Sequence, residues 1–240
     1  METQTSSANR TGMLQKMLEV GTHLGHKKSK GHPKMKPYLF ATRQNIQIIN
    51  VEKTLEKLQE AKAFLREVAS KGGVVLFAAT KVPGKLLIKD AAMEAGMPFV
   101  QNRWLGGTFT NFPILLKRLE YFIGQEHKRK QGAFEKYPKK EQVLLVREIE
   151  SLEKKMGGLK QLKKLPDALI VVDIDEHISA VREAKKMNVA TIAISGTNTD
   201  PTKVTYPIPA NNRSALSVSL LLNELVSAIN EGRQKTEIAL

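Results

Sequence analysis

Short apolar runs rich in β-branched residues recur along the chain. The three strongest cover residues 74–79, 168–172 and 189–194, and weaker ones cover 46–49 and 98–100. Continuous apolar runs of this length are typical of strands that are buried on both faces of a parallel sheet. The pattern therefore predicts a mostly parallel sheet built from these segments.

Amphipathic helices are predicted between the runs, because apolar residues recur there with helical spacing. These helices cover residues 54–70, 83–95, 177–187 and 214–230. Strand and helix thus alternate, and parallel neighbouring strands need such crossover connections. The predicted fold class is therefore α/β, with a doubly wound, mostly parallel sheet of the flavodoxin-like or Rossmann-like kind.

Residues 112–165 interrupt this alternation with two charged helical halves and no strand between them. Each half carries a narrow apolar stripe, formed by Leu115, Leu119 and Phe122 in the first and by Leu145, Ile149, Leu152 and Met156 in the second. Such stripes predict an inserted antiparallel coiled-coil helical hairpin that turns between Gly132 and Pro138. At about 1.5 Å per residue, its arms would project roughly 25 Å. An ordinary helical pair folded against the sheet is the alternative.

The predicted domain organisation follows from these segments. A basic N-terminal arm with a first helix covers residues 1–40, the α/β globular domain covers 41–111 plus 166–240, and the hairpin insertion covers 112–165.

Composition narrows the class of protein. Hydrophobic residues make up 41% of the chain, which is too high for a disordered tail, and no run reaches the roughly 20 apolar residues of a membrane-spanning helix. The start, METQTSSANRTGM, lacks the apolar core of a signal peptide, so we expect a soluble protein that is not secreted by that route. The lack of cysteine excludes disulfides, thiolate zinc sites, iron–sulfur clusters and cysteine nucleophiles.

The charge is strongly positive and unevenly placed. Lys and Arg outnumber Asp and Glu by 38 to 24, and the formal net charge is +14. Residues 1–40 carry a net +5, 41–110 carry +4, 111–165 carry +7, and 166–240 carry −2. A charge that only kept the protein in solution would have no reason to be so uneven. The distribution therefore predicts an acidic partner bound by the arm and the hairpin.

Polar residues follow the predicted strands at the edge where doubly wound sheets bind ligands. Thr80, Asp173, Asp175 and Asn198 lie there and superficially resemble a nucleotide or metal site. The turn after the 74–79 strand reads TKVPGK, however, which matches neither glycine-rich phosphate-binding pattern. Asp175 is predicted to cap the following helix, and SGTNTDP is predicted to close a loop. A nucleotide-dependent enzyme acting at these strand ends is the alternative function.

Three histidines lie close together in the sequence, and His23 and His26 have the spacing of two metal ligands on one helical turn. The zinc signal is weak without a nearby cysteine or carboxylate, and the glycines at 21 and 25 argue against a rigid helix. We therefore expect no metal site. Binding of a metal by His23 and His26, or by Asp173 and Asp175, is the alternative.

The segment around these histidines is densely basic. From residue 26 to 38 it reads HKKSKGHPKMKPY, and cations spaced in this way on an irregular segment suit an RNA backbone. A solvated basic loop is the alternative. The RNA contacts predicted in and beside this arm are His23, His26, Lys27, Lys28, Lys30, His32, Lys34, Lys36 and Arg43.

Further RNA contacts are predicted at the hairpin and at its root. The net charge of +7 on the hairpin favours binding to RNA over a helix face that is only exposed to solvent. The predicted contacts of the hairpin are Lys117, Arg118, Lys128, Arg129 and Lys130. At the root, QNRWLGGTFTNF (101–112) holds the only tryptophan beside two glycines that permit a tight turn. This loop is predicted first to lock the hairpin onto the sheet. Arg103 and Trp104 are also candidates to bond to RNA or stack on it.

At RWLGGTFTNF (103–112) the chain resembles the family of small-subunit ribosomal protein S2, of the bacterial or organellar type. The resemblance covers nearly the whole length, through GTHLGH (21–26), HPKMKPYLF (32–40), VLFAATK (75–81), LPDALIVVD (165–173), AVREAKK (180–186), TNTDP (197–201) and YPIPAN (206–211). Several collinear motifs with proper spacing are far more specific than any one of them.

The resemblance implies a structural constituent of the small ribosomal subunit that is not an enzyme, with a doubly wound domain and a protruding helical hairpin. It implies binding to 16S-type ribosomal RNA (rRNA) where head and body meet, contacts with neighbouring ribosomal proteins, and help in docking ribosomal protein S1. It also implies a ribosome-bound location, in the cytoplasm or in an organelle. No cofactor, membrane or small-molecule substrate is expected. A nucleic-acid binder unconnected with translation is a further alternative.

A few positions depart from the usual pattern of that family. Gly31 and His32 replace an aromatic residue and an asparagine, Ala79 replaces a glycine, Gly196 replaces an aspartate, and residues 212–213 replace a more acidic pair. The lost acids leave fewer cation ligands at the strand ends, which counts against a metal site carried over from relatives. The basic arm and the hairpin keep their charge.

Overall fold

The chain begins with a helix and a small antiparallel sheet. The computed structural model describes the backbone of residues 2–238 and the side chains of residues 10–234. Helix α1 covers Glu2–Glu19, and strands β1 (Leu24–Lys27), β2 (Leu39–Arg43) and β3 (Ile46–Ile49) follow it. The strands pair in the order β1-β3-β2. Gln44 and Asn45 connect β2 to β3 with φ angles of 47° and 62°, which suit a tight hairpin turn.

A five-stranded parallel sheet forms the centre of the fold. Its strands are β4 (Val75–Ala78), β5 (Phe99–Val100), β6 (Ala168–Val172), β7 (Ala190–Ser195) and β8 (Tyr206–Pro209). They lie in the order β5-β4-β6-β7-β8, and every neighbouring pair is parallel. Counted within this sheet alone, the order is 2-1-3-4-5, which is the flavodoxin-like arrangement. The predicted fold class is therefore confirmed.

Two strands differ from their predictions. The run at 46–49 is a strand, but it pairs in the antiparallel sheet and not in the parallel one. Strand β8 was not predicted, because Pro207 and Pro209 interrupt the apolar, β-branched pattern that is typical of strands. Proline is tolerated there because β8 lies at the edge of the sheet.

Helices connect the strands and cover both faces of the parallel sheet. They are α2 (Val51–Ser70), α3 (Gly84–Glu94), α4 (Phe112–Lys130), α5 (Lys139–Met156), α6 (Ile178–Lys186) and α7 (Ala215–Ile238). The helices predicted from periodicity are all present, with shifted ends. Helix α2 starts three residues early because the Asn50 side chain accepts hydrogen bonds from the N–H groups of Glu52 and Lys53, at 2.9 and 3.4 Å.

Each face of the parallel sheet has its own apolar core. Alternate strand residues point to opposite faces, so Phe77 and Ile170 pack with α2, α3 and α7, whereas Leu76 and Leu169 pack with α4, α5 and α6. Both cores consist of fully or nearly fully buried side chains. Strands β4 and β6 are therefore apolar at every position, as the continuous runs predicted, whereas β7 also contains the buried polar residues Thr191 and Ser195. No helix in the described part of the chain is long and apolar enough to cross a membrane.

Helices α4 and α5 form the helical hairpin. Their predicted stripes are buried, apart from the half-buried Leu145, and they join the core that also contains Leu76 of the sheet. The Tyr121 hydroxyl donates a 3.2 Å hydrogen bond from α4 to the Glu148 carboxylate on α5. Gly132 adopts φ 70° at the turn, where Phe134 is buried. The base of the hairpin is thus continuous with the core of the sheet, and the length of its projection stays a prediction.

Candidate nucleic-acid interface

The small antiparallel sheet and its connections form a surface without acidic side chains. Residues 20–51, here called the acid-free segment, contain no aspartate or glutamate. Much of the stretch that was predicted as irregular is regular in the structure, because 3₁₀ turns at Lys28–Lys30 and Pro33–Tyr38 connect β1 to β2. The cations of this segment are therefore held on an ordered support.

The loop that follows β7 holds the acid-free segment against the parallel sheet. The backbone N–H of His26 donates to Thr197 Oγ1 at 2.9 Å, and that of His32 donates to the Thr197 carbonyl at 2.8 Å. The acid-free segment can approach this loop so closely only because residue 25 is glycine. A Cβ on Gly25 would lie 2.6 Å from Thr197 Cγ2. The SGTNTDP sequence thus does more than close a loop, since it positions the basic surface.

Lys34 also connects these two parts of the chain. Its ammonium lies 2.8 Å from Asp200 Oδ2 and 2.9 Å from Thr202 Oγ1. Burial alone would raise the pKa of Asp200, but hydrogen bonds from Lys34 and Thr202 outweigh it and hold that pKa well below its usual range. The charge of Lys34 is therefore partly compensated by Asp200, and its contact with RNA stays a prediction.

Five other cations of the acid-free segment are exposed, and none has a carboxylate partner among the described side chains. They are Lys27, Lys28, Lys30, Lys36 and Arg43. These residues keep their charge available for an anionic partner.

The three histidines of this region differ in accessibility. His26 is buried, and burial followed by the charge of Arg213 lowers its pKa. Its ring is therefore removed from the surface on which RNA was predicted to bind, whereas His23 and His32 are half-buried. Among residues 10–234, no group of three or more His, Cys, Asp or Glu side chains is arranged to hold a metal ion.

The predicted cations of the hairpin are exposed as well. Lys117 and Arg118 lie in the first half of α4, and Lys128, Arg129 and Lys130 occupy its last turn. Positive charge at a helix C-terminus also interacts favourably with the helix dipole, so the last three cations contribute to local stability. No ion pair involving these five cations occurs in the described part of the chain.

Glu183 on α6 organises the loop at the root of the hairpin. Its carboxylate accepts hydrogen bonds from the Trp104 indole at 3.1 Å and from the backbone N–H groups of Gly107, Phe109 and Thr110 at 2.9, 3.0 and 3.3 Å. Burial alone would raise the pKa of Glu183, but these hydrogen bonds outweigh it and lower that pKa. Sequence reasoning missed this residue, which reads as one more charge on an amphipathic helix.

The loop is thereby locked in place, as predicted. Trp104 packs edge-on against Phe109 with ring centroids 5.2 Å apart, and the Asn102 amide donates to the Lys154 carbonyl of α5 at 2.7 Å. The indole N–H of Trp104 is used by Glu183, whereas Arg103 beside it is exposed. Binding of RNA by either residue stays a prediction.

A buried histidine fills the crevice between the carboxyl ends of β4 and β6, where flavodoxin-like sheets bind ligands. His177 is only 2% exposed, and its Nε2 accepts the backbone N–H of Thr80 at 3.1 Å. Its Nδ1 therefore carries the proton and donates to the Asp173 carbonyl at 3.0 Å. Gly84 packs so closely that a Cβ there would lie 3.0 Å from Ala79 and Val172. The structure thus offers no phosphate cradle at this edge.

The acidic residues at the same edge bind neighbouring groups of the protein. Asp173 adopts φ 72°, and its carboxylate accepts the Asp175 N–H at 3.0 Å and the Asn212 amide at 2.7 Å. The prediction that Asp175 caps a helix is wrong, because α6 starts only at residue 178 and the Asp175 carboxylate instead accepts the Asn198 amide at 3.3 Å. Residues 174–177 form a turn before the helix begins.

Burial lowers the pKa of His177, and the hydrogen bond to the Asp173 carbonyl only partly opposes this. As the pH falls below the ordinary histidine pKa of about 6.5, the unfolded chain takes up a proton at this position before the folded chain does. We therefore expect the protein to lose stability on acidification, and H177Q to lose less over the same interval. Urea midpoints at pH 8 and pH 5.5 measure this, and equal losses in both proteins would contradict it.

Comparison with protein families adds an independent finding to this geometry. The family model described as Ribosomal protein S2 matches residues 17–232. The matched range contains the whole parallel sheet, the hairpin, the acid-free segment and the loop held by Glu183.

Proposed function

This chain belongs to the ribosomal protein S2 family, and from this membership and its charge distribution we propose that it binds 16S-type rRNA where the head and body of the small subunit meet. Family membership makes it a component of the small ribosomal subunit that acts in translation, and the family is one of structural proteins rather than enzymes. The acid-free segment and the hairpin are the proposed contact surfaces. The proposal also includes help in docking ribosomal protein S1.

A single observation carries the proposed RNA contact. Lys27, Lys28, Lys30, Lys36 and Arg43 are exposed on an ordered support within 32 consecutive residues that include no acid. Each cation that neutralises a phosphate releases counterions, which favours binding without any reading of sequence. The proposed hairpin contacts, Lys117, Arg118, Lys128, Arg129 and Lys130, add charge on a second element.

The parallel sheet acts in this proposal as a rigid platform. The loop after β7 and the Lys34–Asp200 pair fix the acid-free segment, and Glu183 fixes the root of the hairpin. Cations held in this way recognise the shape of an RNA fold more than its bases. Residues 166–240, with a net charge of −2, are left to face solvent or basic protein neighbours. A ribosome-bound location, in the cytoplasm or in an organelle, is part of the same proposal.

Replacing Lys27, Lys28 and Lys30 together by alanine tests the RNA contact. We expect weaker binding to small-subunit rRNA and a flatter dependence of the binding constant on salt, by roughly 0.7–0.9 in the log–log slope for each phosphate that is no longer neutralised. Filter binding over a series of salt concentrations measures both quantities. The matched control removes three exposed cations of the acidic third of the chain, as R182A/K185A/K186A, and should leave the slope nearly unchanged.

An unchanged slope in the triple lysine variant would show that the segment is only solvated.

Gradient sedimentation of lysate separates the ribosomal assignment from a general nucleic-acid binder, because a ribosomal protein must travel with small subunits. Calorimetric titration with ATP, GTP and NAD addresses the enzyme alternative, and tight binding at the His177 crevice would revive it.

A further inference from the structure

The small antiparallel sheet leaves one face open. In β3, Gln47 and Ile49 are buried, so Ile46 and Ile48 lie on the opposite face. Residues paired across antiparallel strands share a face. Ile46 is paired with Lys27 on one side and Arg43 on the other, and Ile48 is paired with Leu24 and Ala41. The open face therefore has an apolar centre, and a cation lies on each side of Ile46.

Phe40 stands beside this face at an irregularity in the strand pairing. The register of β2 against β3 shifts between Leu39 and Ala41, which makes Phe40 the extra residue of a bulge. Its side chain is 76% exposed, more than that of any other large apolar residue among the described side chains. Leu24 and Ile46 on the open face are 42% and 38% exposed. An uncovered aromatic ring on the same small sheet as exposed aliphatic residues is typical of a binding surface.

We propose that this surface is a stacking platform for an unpaired nucleotide of the small-subunit rRNA. The Phe40 ring stacks on the base, while Lys27 and Arg43 contact the phosphates before and after it. Proteins that bind single-stranded nucleic acid combine aromatic stacking with a basic track in this manner. The inference rests on the proposed function and goes beyond it, because it names an unpaired nucleotide as the ligand and an uncharged side chain as a contact.

The charge of the surroundings favours a nucleic acid over a protein partner. No carboxylate occurs between residues 20 and 51, and Lys27 and Arg43 lie on strands two spacings, roughly 10 Å, apart. Long flexible side chains at that separation reach the backbone on both sides of one nucleotide. A purely apolar protein partner would instead bury both cations without compensation, which is costly.

Substituting Phe40 tests the platform directly. We expect F40A to weaken binding to small-subunit rRNA about 5- to 150-fold, because stacking on an aromatic ring contributes roughly 1–3 kcal/mol per base. The salt slope should stay unchanged, since no charge is removed. F40W should bind like the natural protein, and its added indole should lose fluorescence on binding. M93A is the matched control, because Met93 is a similarly exposed apolar residue on α3.

The outcomes separate this inference from the proposed function. Unchanged affinity of F40A, together with weaker binding of the triple lysine variant, overturns the platform and leaves the RNA contact standing. Unchanged binding in both variants contradicts the proposed function itself. If F40A keeps its affinity for RNA but no longer sediments with small subunits, a protein covers the face and the platform is overturned. Equal melting temperatures of F40A and the natural protein show that any effect is not a loss of folding.

Discussion

Replacing Glu183 by alanine is expected to cost about 3 kcal/mol of unfolding free energy, because hydrogen bonds to a charged group are the stronger ones and five donors lose their acceptor. Several of these donors are backbone N–H groups of one loop. Because N–H groups only donate, they cannot replace the lost acceptor by bonding to one another. Urea unfolding followed by circular dichroism measures the loss. The fluorescence of Trp104 should also change in the folded protein, because its indole loses a charged partner.

The matched control is E183Q, which keeps the shape of the side chain and one acceptor oxygen. We expect it to lose less stability than E183A. The lowered pKa of Glu183 adds a pH dependence to this comparison. Stability that depends on the ionised Glu183 carboxylate is present above the pKa that this group has in the unfolded chain. It is lost as the pH falls through the lower pKa that the group has in the folded protein. E183Q should lack this acid-dependent loss, and an E183A protein as stable as the natural one would refute the role given to Glu183.

Replacing Gly158 by alanine is expected to destabilise the protein by about 2–3 kcal/mol, since a buried overlap forces the backbone to move. A Cβ at this position would overlap the Phe99 carbonyl oxygen of β5 and lie 2.8 Å from Cδ2 of the same residue. Neither the strand nor the end of α5 can yield easily, because both pack into the core of the hairpin face. The urea midpoint of G158A against that of the natural protein measures the effect.

The neighbouring glycine provides the control. A Cβ on Gly157 would lie 2.5 Å from Glu153 Oε1, which is the far end of a flexible side chain. G157A should therefore be tolerated with a much smaller loss than G158A. Similar losses in the two variants would show that the constraint is the end of α5 in general and not the contact with Phe99.

The local pattern of the sequence was sufficient for the main elements. Strands β4, β6 and β7 were visible as nearly continuous apolar runs because a strand with a core on each face has few polar positions. The hairpin was visible because two stripes at helical spacing leave one face of each helix apolar. Strand β8 was hidden, since its prolines are compatible with a strand only at a sheet edge, and edge position is a property of the whole sheet.

The candidate surface was only half predictable. The density of lysines between residues 26 and 38 indicated an anionic partner. Which of these side chains are exposed and unpaired could not be predicted from the sequence. Lys34 is paired with a residue 166 positions away, and His26 is buried under the loop after β7. No pattern in the sequence distinguished Phe40 from other apolar residues. Its exposure follows from the register shift that makes it a bulge.

By itself, the sequence determined the fold class, the hairpin and the uneven charge, because these depend on composition and on spacing over a few residues. The tertiary structure alone decided which groups remain available at the surface. Glu183 holds a loop more than 70 positions away, and His177 fills the crevice beside Thr80 across 97 positions. Such contacts form when the sheet brings distant strand ends together, so no local pattern predicts them. The same packing leaves Phe40 and the five cations of the acid-free segment exposed at the surface.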